Sequence, residues 1–210
     1  MLIDPASLAG FMLASIAVYL APGADMAYIG STAMSRGFTA GLWASFGTLS
    51  GVAIQAFATG IGISALFVAS PVLFEITRWV GVAYLAYLGV KMLTSVGGER
   101  PHTRHELGRA SLLVKGAAIN LLNPKISLFF LAFLPQFADP SRGRMTAQLL
   151  LLGGLFTVGA LIWGIIQAYA FSKAGNWLAA RPSLQQWQER VTGSAMLLFA
   201  GMLAASGLRR

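Results

Sequence analysis

The sequence predicts an all-α, polytopic membrane protein of about six transmembrane helices. Its 210 residues are 56% apolar and only 10% charged, with a mean hydropathy of +0.69; a soluble domain carries about 25% charged residues. The apolar residues fall into six long, nearly uncharged runs: Leu8–Gly30, Gly41–Ala69, Val72–Leu93, Leu112–Phe137, Met145–Phe171 and Val191–Leu208. Each is long enough for a hydrocarbon core of about 30 Å, which takes about 20 helical residues. Membrane strands would show short alternating segments instead, and these runs are continuous.

Connections are short. The longest is the polar loop 94–111, so residues 1–210 form a single integral-membrane domain with no room for a soluble one. The chain has no cysteine, which excludes disulfides, thiolate metal sites and thiol redox chemistry. The opening MLIDPAS lacks the basic region of a signal peptide and carries Asp4 instead. The net charge of +8 points to cytoplasmic loops rather than to nucleic acid. With an extracytoplasmic N-terminus, nine Lys and Arg fall on the inner side: Arg36, then Lys91, Arg100, Arg104, Arg109 and Lys115, then Lys173, Arg181 and Arg190. Five fall outside (Arg78, Arg142, Arg144, Arg209 and Arg210) and Lys125 falls within a span, so both termini are expected outside.

The first run contains Pro22 and Gly23, followed by the acid Asp25; the third run holds a second acid, Glu75. Pro22 has no N–H and frees the carbonyl of Val18, while Gly23 lets the chain turn. Freed carbonyls plus a carboxylate make a site for an ammonium group or a proton. In the second run Thr48, Gln55 and Thr59 share one helical face with Gly51 and Gly62. Gln55, an amide in mid-span, either bonds to a neighbouring helix or faces water. The loop after the third run holds His102, His105 and Glu106, read as solvated rather than metal-binding because Pro101 argues against a helix.

The fourth run contains NLLNPKISLFFLAFLPQF, Asn120 to Phe137. Pro124 frees the carbonyl of Asn120, and Asn123-Pro124 reads as a fresh helix start inside the membrane. Its N–H groups and dipole favour an anion, and Lys125 adds a full positive charge. An intramembrane lysine costs at least about 2.5–3.5 kcal/mol and requires a partner; a substrate carboxylate would serve. Asp25 and Lys125 pairing with each other to support the fold is the plain alternative, as is an interfacial loop with Lys125 snorkelling to headgroups. Gly153, Thr157, Ala160, Gly164 and Ala168 line one face of the fifth run, a pattern that also serves close helix packing.

Pro22 and Pro124 lie 102 residues apart, and the same offset relates Gly51 to Gly153 and Gly62 to Gly164. Two three-helix repeats, about 1–98 and about 108–210, each opening on a broken helix, would insert in opposite senses. Inverted repeats with paired broken helices are a transporter pattern with the binding site near mid-membrane.

Four segments carry a family resemblance: APGAD (21–25), SRGFTAGLWASFGTLSG (35–51), GVAYLAYLGVKML (81–93) and NLLNPKISLFFLAFLPQF (120–137). Over essentially its whole length the chain resembles the LysE/RhtB family of bacterial amino-acid exporters. The resemblance implies a secondary transporter of the inner membrane, compatible with a homo-oligomer. It would export neutral or basic amino acids or close derivatives by proton antiport, without cofactor, metal or enzymatic chemistry. It places Pro22, Gly23 and Asp25, with Asn123, Pro124 and Lys125, at the family's two motifs, and Gln55 and Asn120 join them on the residue reading. One position departs: Ala24 stands where the family commonly has a second proline, which implies a milder kink. An inorganic-ion efflux protein or a lipid-phosphate enzyme would require clusters of acids or histidines, and the two acids within the runs, Asp25 and Glu75, stand fifty residues apart in different runs.

Overall fold

In a computed structural model, residues 2–69, 71–94, 108–179 and 182–207 are described. The loop with His102, His105 and Glu106 lies outside them. Among the described residues the chain folds into eight α-helices and no strand. α1 spans Pro5–Leu20, begun by Asp4, whose carboxylate accepts from the N–H groups of Ala6 and Ser7. It stops before Pro22, and α2 (Ala24–Arg36) restarts at a bend of 54° and ends at Gly37, whose φ of +83° suits glycine. α3 (Phe38–Ala69) and α4 (Pro71–Thr94) follow. α5 (Arg109–Leu121) and α6 (Pro124–Leu128) meet at a second bend of 56°. α7 (Met145–Ala179) and α8 (Pro182–Gly207) complete the chain.

Among the described residues, α3 and α7 are each long and apolar enough to cross a membrane. Each bent pair passes the same test as one broken span. The two bends are nearly equal. α7 continues past the expected end at Phe171 to Ala179, and α8 begins at Pro182 rather than near Val191. Hydropathy marks the part of a helix suited to lipid. The polar residues Gln185, Gln186 and Glu189 are good helix formers that carry α8 beyond it.

The fourth run is not a uniform helix. After α6 it loosens into a π-helical turn over Phe129–Phe133 and tightens into a 3-10 turn over Leu134–Phe137. Pro135 supplies the reason, because it has no N–H to give the preceding turn and its ring crowds the carbonyl of Leu131. This irregular stretch is the centre of the core. Phe129, Phe130 and Phe133 are buried with Phe11 and Phe156, and Phe130 meets Phe156 edge-on at 4.9 Å between ring centres.

Glycines fix the helix registers. Gly60 stands beside Leu150, Gly153 beside Ala56 and Gly164 beside Ser45, so α3 and α7 pack antiparallel. Gly47 lies against the carbonyls of Leu112 and Leu113, and Gly51 against the Ala117 carbonyl and Asn120, so α3 and α5 run parallel. Gly62, by contrast, meets nothing. α4 packs chiefly against α8. Beyond Phe137, Gln148 is wholly buried: its amide donates to the carbonyls of Asp139 and Gly143 and its oxygen accepts from the Asp139 N–H. Asp139 accepts from the hydroxyl and N–H of Ser141, which holds its carboxyl below the usual carboxylate range. Arg142 joins Asp139 at 3.2 Å to Asp4, the cap of α1, at 3.8 Å.

A Cβ at Gly116 would sit 2.8 Å from both the Ala44 carbonyl oxygen and the Thr48 nitrogen, backbone that cannot turn aside. Gly116→Val should therefore destabilise the protein by about 1–3 kcal/mol, seen as a lower unfolding midpoint in detergent. An unchanged midpoint would contradict this packing.

Candidate functional site

The two helix breaks face each other. Pro22 ends α1 and leaves its last carbonyls without helical partners. The Lys125 ammonium crosses from the other break to fill that end, donating to the Ala21 carbonyl at 3.0 Å and the Val18 carbonyl at 3.5 Å. The negative end of a helix dipole also favours a cation there. Lys125 is 8% exposed, and this docking gives its charge partners inside an apolar bundle.

Asp25 makes the reverse crossing. It lies in the first turn of α2, and its Oδ2 accepts from the side-chain amides of Asn120 at 3.2 Å and Asn123 at 3.1 Å. Asn123 has a second task as the cap of α6, its Oδ1 accepting from the Lys125 N–H at 3.0 Å. Gln55 reaches over from α3. Its amide donates to the Asn120 carbonyl at 2.7 Å, the carbonyl freed by Pro124, and its oxygen accepts from the Ser127 hydroxyl at 3.1 Å. Among the described residues no direct ion pair joins Asp25 and Lys125; each charge is held by groups of the opposite break.

Glycines again set the approach. A Cβ at Gly23 would meet the Lys125 ammonium at 3.1 Å, and one at Gly51 would meet Asn120 Cβ at 2.7 Å and its Oδ1 at 2.9 Å. The small residues at 23 and 51 thus let Lys125 and Asn120 reach their places.

Beside this junction lies a cavity of about 60 Å³, room for about four waters. Asp25, Asn120 and Lys125 line it, together with Thr48 of α3 and Trp163 and Gln167 of α7. Gln55 and Asn123 stand behind, holding Asn120 and Asp25 in place. Among the described residues, three buried side-chain atoms have no hydrogen-bond partner within the protein: Asp25 Oδ1, Asn120 Oδ1 and Trp163 Nε1. All three residues line the cavity. The residues expected from sequence therefore gather at one place, around breaks set by Pro22 and Pro124. Trp163, Gln167 and Ser127 join unannounced. Gln167, an amide in a long apolar run like Gln55, was the readable signal; an indole in a membrane helix looks like any other apolar residue.

Broken helices facing each other within an apolar helical bundle, with a charged cavity between, are the pattern of a multi-pass membrane translocator. Comparison with known proteins places it further. Residues 16–207 match the family model of the LysE type translocator, and the chain belongs to that family. It is 34% identical to an uncharacterized membrane protein of Vibrio cholerae, with 93% of this chain and 95% of the relative covered. It is 28% identical to the homoserine/homoserine lactone efflux protein of Salmonella typhi (93% and 95% covered). It is 27% identical to a leucine efflux protein of an Enterobacter strain (93% of each chain covered). No solved structure matches the chain.

Asn123→Ala removes the α6 cap and one of the two amides on Asp25. It should destabilise the protein by about 1–2 kcal/mol, while Asn123→Ser, which can still cap, should recover part of that loss. Thermal unfolding of both variants in detergent checks the order. Equal losses would mean that the cap contributes nothing here.

Proposed function

We propose that the protein is a secondary transporter of the inner membrane that exports amino acids, neutral or basic, or close derivatives, from the cytoplasm by proton antiport. The carrying observation is Asp25: a carboxylate between two helix breaks, one oxygen held by Asn120 and Asn123 and the other, at the cavity, without a partner. Such an oxygen can take a substrate ammonium or a proton, and alternation between the two is the simplest form of antiport. Lys125 lines the same cavity and would attract the substrate carboxylate while its carbonyl partners keep it in place. Gln55 and Asn120 would hold the second break, with Pro22, Gly23 and Pro124 supplying its geometry and that of the first.

The export direction draws on the relatives whose names are efflux proteins for homoserine, homoserine lactone and leucine. The order of elements supports two inverted repeats. Each half opens on a broken pair, continues with its longest helix of 32 or 35 residues, and closes on one of 24 or 26. The antiparallel register of α3 and α7 is what an odd number of spans per repeat requires. In such designs the substrate site lies where the breaks meet, and the repeats rock around it.

Asp25→Asn should reduce efflux of preloaded labelled amino acids from cells to background while the protein stays at normal abundance in the membrane fraction. Full efflux would remove Asp25 from the mechanism. A second expectation concerns orientation. Single cysteines replacing Arg36 and Ser141 should label from the cytoplasmic and the extracytoplasmic side respectively. Labelling of both from one side would overturn the proposed topology.

A further inference from the structure

The unpartnered atoms around the cavity form a pattern. Asp25 Oδ1 and Asn120 Oδ1 are acceptors and Trp163 Nε1 is a donor. Asn120 is fully buried, and its amide orientation is fixed because its Nδ2 donates to Asp25. Buried polar atoms need partners, so three on residues lining one cavity mark where water sits or where a ligand's complementary groups would replace it. Lys125 adds to the donor side: two carbonyls engage an ammonium that carries three N–H bonds, and the residue lines the cavity. Two acceptors suit an ammonium group; an indole N–H lining the same cavity as a cation suits a carboxylate.

The rest of the lining limits the remainder of the ligand. Among the described residues, Asp25 and Lys125 are the only charged ones lining the cavity, one of each sign. Val18, Val52, Ile126 and Phe156 supply apolar wall, and Thr48 and Gln167 are neutral. Once an ammonium and a carboxylate have engaged the two charges, a further charge on the ligand would be buried with no counter-charge, which is strongly unfavourable within a membrane.

We propose that this cavity takes α-amino acids with uncharged side chains, and that Trp163 reads the carboxylate through its indole N–H. The proposal rests on the export reading and narrows it, since basic amino acids are excluded. Trp163 stands on α7 while Asp25 stands on α2, so the head group spans both halves of the chain. A ligand touching both halves is positioned to couple its binding to their relative movement. An amine lacking the carboxylate would bind through Asp25 and Asn120 alone.

The test is equilibrium binding to the purified full-length protein with a panel of labelled amino acids: alanine, serine, threonine, valine, leucine, lysine, arginine, aspartate and glutamate. The best neutral binder should exceed all four charged ones by about tenfold or more. Trp163→Phe keeps the ring and removes the donor. It should weaken the best neutral amino acid by about tenfold and leave the amine formed by removing its carboxylate unchanged, while Trp163→His, which retains a ring N–H, recovers part of the loss. Charged amino acids binding as well as the neutral ones would overturn the proposal and leave export standing; this arm needs no variant. An equal effect of Trp163→Phe on amino acid and amine would overturn the role of Trp163. Binding of no amino acid at all would overturn the export reading as well.

Discussion

The fold turns on the Lys125 ammonium lying against the carbonyls at the end of α1. A helix broken inside a membrane leaves polar backbone groups that lipid cannot satisfy, so protein or cavity water must do so. Here each break is satisfied by residues from elsewhere in the chain. Lys125 fills the end left open by Pro22, and Gln55 joins the Asn123 N–H on the Asn120 carbonyl that Pro124 cannot reach. Asp25 draws in the amides of Asn120 and Asn123 from the opposite side. Neither break can persist alone in this arrangement. The cost of one is offset by groups that the other brings into position, which ties the first and fourth runs into one unit.

That mutual dependence explains features that otherwise look unrelated. Glycine at 51 allows Asn120 to come close enough to α3 for Gln55 to reach its carbonyl. Asn123 caps α6 and restrains Asp25 with the two ends of one amide. The π turn and the Pro135 turn after α6 let the phenylalanine cluster close the core behind the site. In the proposed transport cycle these irregular segments are also where the helices can bend. A cavity of about 60 Å³ must widen for an amino acid to leave it.

Much of this was legible in the sequence because it is local chemistry. Proline without an N–H, asparagine before proline and glycine at a turn act on their neighbours, so the breaks at Pro22 and Pro124 and the Asn123 cap were readable in advance. The need of Lys125 for partners was readable too. Their identity was not, because the Ala21 and Val18 carbonyls lie more than a hundred residues away and reach it only through helix packing. Trp163 and Ser127 stayed hidden for the same reason. The ends of α7 and α8 were missed for a different one, since hydropathy reports where lipid would lie and helix propensity continues past it. The π turn was masked by an unbroken apolar run, although Pro135 announces it.

Flux through proteoliposomes tests the central claim most directly. Vesicles holding the purified protein are loaded with one labelled amino acid at a time and followed with and without an imposed pH gradient. Gradient-dependent loss of one or a few amino acids is expected, with the Asp25→Asn protein indistinguishable from empty vesicles. Gradient-independent loss, or equal loss from the Asp25→Asn vesicles, would contradict a site in which Asp25 exchanges substrate for a proton between the two helix breaks.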